Sequence, residues 1–477
     1  MGALHPLPDL TLELLGAQPA YRQIYQRLKD AILAGRLPPG ARLPSARSLA
    51  AELHLARGTV EAAYQLLSGE GYAVGRGPAG TVVNPTLGPR PTGKPAPRPP
   101  ALPTGPGMPG PEIEKVPPLF RMGLPALDAF PRKTWSRLVA RCARSVSAPG
   151  LAYPNPSGRS ALRHAIAAHL NVARGIVCTP EQVFVTAGYQ GALGLVTHLL
   201  LTPGDEAWIE DPGYFFARDA FKLAGAKLVP VPVDEDGIDV ETGLRRARHA
   251  HFAVVTPSHQ FPTGAALSLS RRLALLKWAG TAGAWIIEDD YDGELRYRGR
   301  PLPALKSLDK AGRVIYAGTF SKVLFPGLRT GYLVVPDSLV ERFTRAAALL
   351  HPAPSHLEQA TIAAFMAEGH LARHIKRMRQ LYQSRRDALA EALERTLGSM
   401  LETRPPVGGM HFLTRLPAGT DDRALATRAA ARGLAPEPLS RSFAQRPTAP
   451  GLLLGFTNIP EEAAPAAARR LKDAIEA

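Results

Sequence analysis

The sequence predicts an α/β protein in which a large domain with a mostly parallel sheet follows a small three-helix domain that ends in a β-hairpin. Three observations predict it. Between residues 119 and 477, apolar β-type runs alternate with amphipathic helical stretches. Before residue 84, three apolar stripes at helical spacing lie close together. Between these regions, residues 84–118 return to Pro or Gly every two or three positions.

In the small domain, 1–83, the first stripe is Tyr21, Ile24, Tyr25, Leu28 and Ile32. Ala46, Leu49, Ala50 and Leu53 form the second, and Val60, Ala63, Tyr64 and Leu67 the third. Ser45 stands directly before the second helix, where a hydroxyl can accept from an amide of the first turn. The link around His54 to Gly58 is only a few residues long, which is helix-turn-helix spacing. Two short β-type runs, Gly71 to Val74 and Thr81 to Val83, flank the Gly-rich turn Gly75 to Gly80 and read as a wing. Residues 84–118 have Pro95-Ala96-Pro97-Arg98-Pro99-Pro100 at their centre, and their prolines lack a backbone donor and have fixed φ. They read as a semi-rigid linker with an upper reach on the order of 100 Å at about 3.1 Å per residue. In the large domain, 119–477, runs ending at Thr186, Glu210, Val255, Glu288 and Ala317 look like buried strands. They are apolar throughout rather than alternating, as in a parallel sheet covered on both faces.

A chain of 477 residues suits two or three domains. No apolar run of about 18 residues predicts a membrane span. The first 20 residues lack the basic start and clean apolar stretch of a secretory signal. Two cysteines, Cys142 and Cys178, make neither a disulfide framework nor a metal cluster, and they read as reduced thiols of a cytoplasmic protein. The net charge of +16 suggests a nucleic-acid partner. Residues 1–83 hold only eight Lys and Arg against six Asp and Glu, however, so most of the excess lies after the Pro-rich segment. Charge alone therefore does not locate a DNA-binding part.

Residues 19–83 carry several words at fixed spacing: Ile32 to Gly40, Leu43-Pro44-Ser45-Ala46-Arg47, Gly58-Thr59-Val60, Ala63-Tyr64 and Gly69-Glu70-Gly71-Tyr72. Through them the segment resembles the GntR family of winged-helix regulators. The resemblance implies that double-stranded promoter DNA receives the third helix in its major groove. Ser45, Arg47, Arg57 and Thr59 match family DNA-contact positions, and Arg76-Gly77 match the wing tip. Arg can hold a guanine bidentately or grip phosphate. Glu61 departs from relatives that carry a base there.

The large domain carries three further motifs. Gly318-Thr319-Phe320-Ser321-Lys322 leads to Gly327-Leu328-Arg329, Trp285-Ile286-Ile287-Glu288-Asp289-Asp290-Tyr291-Asp292 is an apolar strand ending in acids, and Thr186-Ala187-Gly188-Tyr189-Gln190 turns from strand to helix. With Asp211-Pro212-Gly213-Tyr214 and Tyr153 to Gly158, these words resemble fold-type I aminotransferases, and the two-part chain resembles MocR/GabR-type regulators. The implied cofactor is pyridoxal 5'-phosphate (PLP). PLP is an aldehyde, and the resemblance gives Lys322 as its amine partner. It gives Arg329 and Thr319 as phosphate ligands, with the helix start at Gly188, Tyr189 and Gln190 as a phosphate cradle. Asp289 is implied as the carboxylate facing the pyridine nitrogen, with Asp290 an open alternative one position on. Tyr291 is implied as the phenol at the ring oxygen and Tyr214 as the ring stacked on the cofactor.

Two departures weigh on function. Phe261 stands where catalytic relatives carry Asn before Pro-Thr-Gly. The run Leu452 to Phe456 lacks the Arg that binds a substrate carboxylate, and Arg441 and Arg446 are the substitutes in view. The expectation is a PLP-binding regulator, a homodimer sensing PLP or an amino compound, with at most residual transamination. The alternative is an active aminotransferase that carries a DNA-binding module.

Overall fold

A computed structural model describes residues 18–77, 80–87, 118–297, 303–350 and 354–476. The chain divides into two units, Met1–Gly110 and Pro111–Ala477. The Pro-rich segment lies outside the described residues except at 84–87 and 118.

In the first unit the three stripes become helices α1 (Ala20–Leu33), α2 (Ala46–Glu52) and α3 (Arg57–Gly69). Their apolar faces meet in one core, where Ile24, Leu28, Leu49, Val60 and Leu67 are fully shielded from solvent. The Ser45 hydroxyl accepts from the Ser48 amide at 3.0 Å, which satisfies a first-turn donor of α2. The Tyr64 hydroxyl donates to the Pro44 carbonyl at 2.9 Å and ties α3 to the start of α2. Gly71, with φ +78°, supplies the left-handed turn out of α3. Strands β1 (Ala73–Gly75) and β2 (Thr81–Val83) then pair antiparallel, and Arg42 bridges Val82 as a third partner.

The second unit is built on an eight-stranded sheet. Its members are β3 (Val183–Thr186), β4 (Glu206–Asp211), β5 (Lys227–Asp234), β6 (Gly237–Ile238), β7 (Phe252–Val255), β8 (Trp285–Asp290), β9 (Val314–Thr319) and β10 (Gly331–Val334). The order is β3-β10-β9-β8-β7-β4-β5-β6. The pairs from β9 through β8, β7 and β4 to β5 are parallel. Strand β10 runs antiparallel between β9 and β3, and β6 turns back along β5. Six strands thus point one way, which gives a mostly parallel α/β sheet. Strands β3, β7, β8 and β9 are buried along nearly their whole length, as runs apolar on both faces require.

A four-stranded antiparallel sheet follows: β11 (Glu402–Thr403), β12 (His411–Arg415), β13 (Glu437–Pro438) and β14 (Gly451–Gly455). Helices His370–Leu397, Asp422–Ala431 and Ala464–Glu476 share its core. The segment that enters this unit is fixed on the same sheet. Leu119 accepts from the Ala435 amide at 2.8 Å and Phe120 from the Gly455 amide at 2.9 Å. Among the described residues no helix is long and apolar enough to cross a membrane, and no His, Cys, Asp and Glu cluster could hold a metal.

Candidate functional site

In a parallel sheet the crevice at the strands' carboxyl ends collects loops from several strands. Here the helix after β3 and the ends of β8 and β9 deliver Tyr189, Asp289 and Thr319 to one cavity of about 430 Å³. Lys322 lies three residues past the end of β9, and its Nζ donates to the Gly123 carbonyl at 3.0 Å. Burial pushes the amine below the usual lysine range, against the pull of Asp292 and Asp289. Gly123 sits at φ +66°, which favours glycine, and a Cβ there would lie 2.2 Å from the lysine nitrogen and displace it.

The pleat separates the two adjacent acids of β8. Asp289 lines the cavity, and burial holds its carboxyl well above the usual carboxylate range. Asp290 makes a buried pair with Arg174 Nε at 2.6 Å and accepts from the Tyr316 hydroxyl at 2.7 Å. Tyr291 lines the cavity with its hydroxyl 3.1 Å from His259 Nδ1, which is also 3.0 Å from Asp292.

Helix Gly188–Leu200 starts at the cavity, so its unpaired first-turn amides and positive dipole end point toward it. Arg329, in the left-handed region at φ +47°, donates from Nη2 to Gln190 Oε1 at 2.8 Å. Tyr214, ahead of helix Phe215–Leu223, meets Phe261 edge-on with centroids 5.3 Å apart. The loop carrying Phe261 is fastened from below. Glu210 at the end of β4 accepts from the Thr256 amide and hydroxyl at 3.1 and 2.6 Å and from Gln260 Nε2 at 3.1 Å. Burial pushes its carboxyl up to about 7.

The cavity therefore brings together Lys322, Asp289, Tyr291, Thr319, Arg329, Tyr214, Tyr189 and Gln190. A guanidinium and a helix start fit a phosphate, an amine fits an aldehyde, and a buried carboxyl fits a ring nitrogen. The Tyr189 hydroxyl is buried beside Asp289. The donor set thus fits PLP, which when bound supplies an electrophilic carbon for primary amines.

Motif reading missed Arg121, Met122, Phe215, Phe216, Met410, His411 and Glu437, which line the same cavity. Most come from the entering segment and the four-stranded sheet, and only tertiary folding gathers them. His411 is buried with its proton affinity pushed down to about 4. Arg441 stacks on Phe215 at 3.9 Å and pairs with Glu437 at 3.0 Å, which sets it at the rim. Arg446 is exposed and does not line the cavity, and Tyr153 is fully exposed.

In the first unit Arg47, Arg57, Arg76 and Gly77 are exposed, and Thr59 sits half-buried in the first turn of α3. Arg57 Nε donates to Glu61 Oε1 at 2.8 Å, so the acidic departure is the arginine's own partner one turn on. Residues 78 and 79 of the wing turn lie outside the described residues.

Comparison with known proteins matches each unit. Residues 135–437 match the family described as aminotransferase class I and II, and residues 20–83 match bacterial regulatory proteins of the gntR family. The chain is 40% identical over 449 residues to the probable rhizopine catabolism regulatory protein MocR of Rhizobium meliloti, covering 92% of this chain and 90% of that one. The chain belongs to the MocR family of regulators. A second relative is the HTH-type pyridoxine biosynthesis transcriptional regulator PdxR of Corynebacterium glutamicum, 33% identical, with 98% of this chain and 99% of that one covered. Among solved structures, a Pyrococcus horikoshii kynurenine aminotransferase in complex with PMP matches with a TM-score of 0.69 at 30% identity. It covers 76% of this chain and 91% of its own. The MocR-family architecture thus joins a GntR helix-turn-helix unit to an aminotransferase fold in a single chain.

Proposed function

We propose that this chain is a PLP-binding transcription regulator whose aminotransferase-like unit senses PLP or an amino compound. Residues 1–83 read promoter DNA, residues 84–118 link, and residues 119–477 hold the cofactor. The observation that carries the reading is the convergence of Lys322, Asp289 and Arg329 on one cavity, in a chain that also has a GntR unit.

In this reading Lys322 holds the aldehyde covalently and Asp289 faces the pyridine nitrogen. Tyr291, positioned by His259, faces the ring oxygen. Arg329, Thr319 and the amides of Gly188, Tyr189 and Gln190 hold the phosphate. Tyr214 covers the ring, and Phe261 closes the place where an asparagine would bond it. Arg57, Arg47, Thr59 and Ser45 meet the DNA, with Arg76 and Gly77 at the wing. The protein acts as a cytoplasmic homodimer. A ligand shifts the regulator only through different affinities for its two states.

The alternative, a working aminotransferase, draws support from Lys322, Asp289, Tyr291 and Arg329 in one cavity. Against it, the described β14 offers no arginine to the cavity and Arg441 is engaged by Glu437. Absorption spectra of the purified protein with PLP, before and after borohydride reduction, test the reading. A visible band fixed by reduction in the wild type and missing in Lys322→Ala is the expected result. Identical spectra for the two proteins would remove Lys322 from the site, and conversion of the band by amino acids with release of keto acid would favour the enzyme.

A further inference from the structure

The cofactor residues leave part of the cavity over. Met122, Phe215, Phe216, Met410 and Glu437 line it and have no task in holding PLP. All but Glu437 are apolar, so this space suits a ligand with an apolar body. The wall behind it is apolar too. Phe261, Leu439 and Leu453 are at most 9% exposed and pack against Met122, Tyr214 and Tyr291. A carboxylate pushed onto that wall would lose its water and gain no donor.

Two charged side chains outside the cofactor set border this space, Arg121 and Glu437. Arg121 is exposed on the entering segment. Glu437, on β13, is half-buried, and a cation already sits on it. Arg441 Nη1 lies 3.0 Å from Glu437 Oε2, and the same guanidinium lies over the Phe215 ring at 3.9 Å. A carboxylate beside an aromatic face is a site for a cation. Phe216 and Tyr214 pack against Phe215 with centroids at 4.4 and 5.6 Å, which holds that ring in place.

The backbone under Arg441 is fixed. Arg218 donates to the carbonyls of Arg441 and Phe443 at 3.4 and 2.9 Å, and the Ala444 amide donates to Asp211 at 2.8 Å. The side chains of Arg441 and Glu437 are 40% and 33% exposed, so water screens their pair. Another cation can therefore take the arginine's place while the backbone stays.

We propose that the ligand of this space is an aliphatic diamine. Its near nitrogen lies at the Lys322 end and its methylenes on Met122, Phe216 and Met410. Its far ammonium rests on Glu437 over Phe215, where Arg441 now sits. The inference deepens the proposed function by naming the class of amino compound, and it rests on that reading. A ligand with a carboxylate at the far end meets Glu437 as a like charge, so the same acid that attracts the diamine rejects the amino acid.

The test uses the PLP-loaded full chain, with the visible band read first in each protein. Calorimetric titration then sets putrescine and cadaverine against butylamine and pentylamine, which lack the far ammonium, and against δ-aminovalerate, which carries a carboxylate there. The wild type is expected to bind the better diamine about tenfold tighter than the monoamine of the same length, the worth of a cation held by an acid and an aromatic face. In Glu437→Gln that preference should fall to about twofold or less, with monoamine binding unchanged. Arg441→Gln removes the built-in cation and keeps the acid, so it should tighten diamine binding. If Glu437→Gln loses the band, Arg441→Gln decides alone.

No preference in the wild type, or one that Glu437→Gln leaves intact, overturns the inference while the band keeps the PLP reading standing. Tighter binding of δ-aminovalerate than of any diamine would put a carboxylate on Arg121 or Arg441 and also overturn it. Diamine binding that weakens in Arg441→Gln would show that the arginine does not compete for the site, with the same result. A wild type without the band sinks the proposed function and this inference together.

Discussion

At the scale of single residues, neighbours in sequence do opposite work. Asp289 and Asp290 both end an apolar strand, and the sequence leaves the choice between them open because a one-residue shift of register exchanges the faces. The pleat decides it: Asp290 neutralises buried Arg174, and Asp289 faces the cavity. Asp290→Asn is expected to cost about 3–5 kcal/mol by leaving a buried guanidinium unpaired. Asp289→Asn is expected to leave stability unchanged or raised, because it removes a carboxylate that burial penalises, and to weaken PLP retention. Urea unfolding of both variants checks the pair, and equal destabilisation would show the assignments to be wrong. Glu210 gives a pH signature. Its folded-state value of about 7 lies above its ordinary one, so the folded state holds the proton more tightly. Its contribution is full in acid and is lost as pH rises through about 7. Buried Glu288, likewise raised to about 7, adds a slope of the same sign. Stability should therefore fall across that interval, and Glu210→Gln should flatten the fall in unfolding midpoints measured over a pH series.

At the scale of elements, local rules were enough wherever local forces dominate. The stripes of α1, α2 and α3 and the Ser45 cap were legible because they depend on neighbours within a turn. Ser45→Ala should lower the stability of the first unit by about 1 kcal/mol, read from its own melting transition, since one first-turn amide loses its acceptor. No change would mean that water replaces the cap at no cost. Strand β5 was missed for a physical reason: Pro230 and Pro232 argue against a strand, yet β5 lies next to the sheet's edge and tolerates them. Strand β10 was missed because four residues following the Arg329 loop carry no periodicity of their own; pairing with β3 and β9 makes them a strand. The same holds for the wall of the cavity opposite the motifs, where Met410, His411 and Glu437 carry no local signal.

At the scale of the whole chain, the motifs disclosed the two-part plan and half of the cavity, and long-range folding supplied the rest. If PLP binds the folded large unit alone, it stabilises that unit by mass action, by about 2.7 kcal/mol at a hundredfold excess over Kd. Calorimetry should then show PLP raising the transition of the large unit in wild type but not in Lys322→Ala, with the transition of the small unit unmoved. A shift of both transitions would place cofactor contacts in the small unit. The course of the entering chain gives the plan a mechanical side. Pro118 closes the Pro-rich segment, and Gly123 follows five residues later. Those residues are stitched to the far sheet at Leu119 and Phe120 and end on the carbonyl that holds the Lys322 amine. The segment that follows the Pro-rich stretch is thus moored in the wall of the pocket. A displacement of Leu119 and Phe120 would be felt beside the Lys322 nitrogen, and a new partner for that nitrogen would release the Gly123 carbonyl.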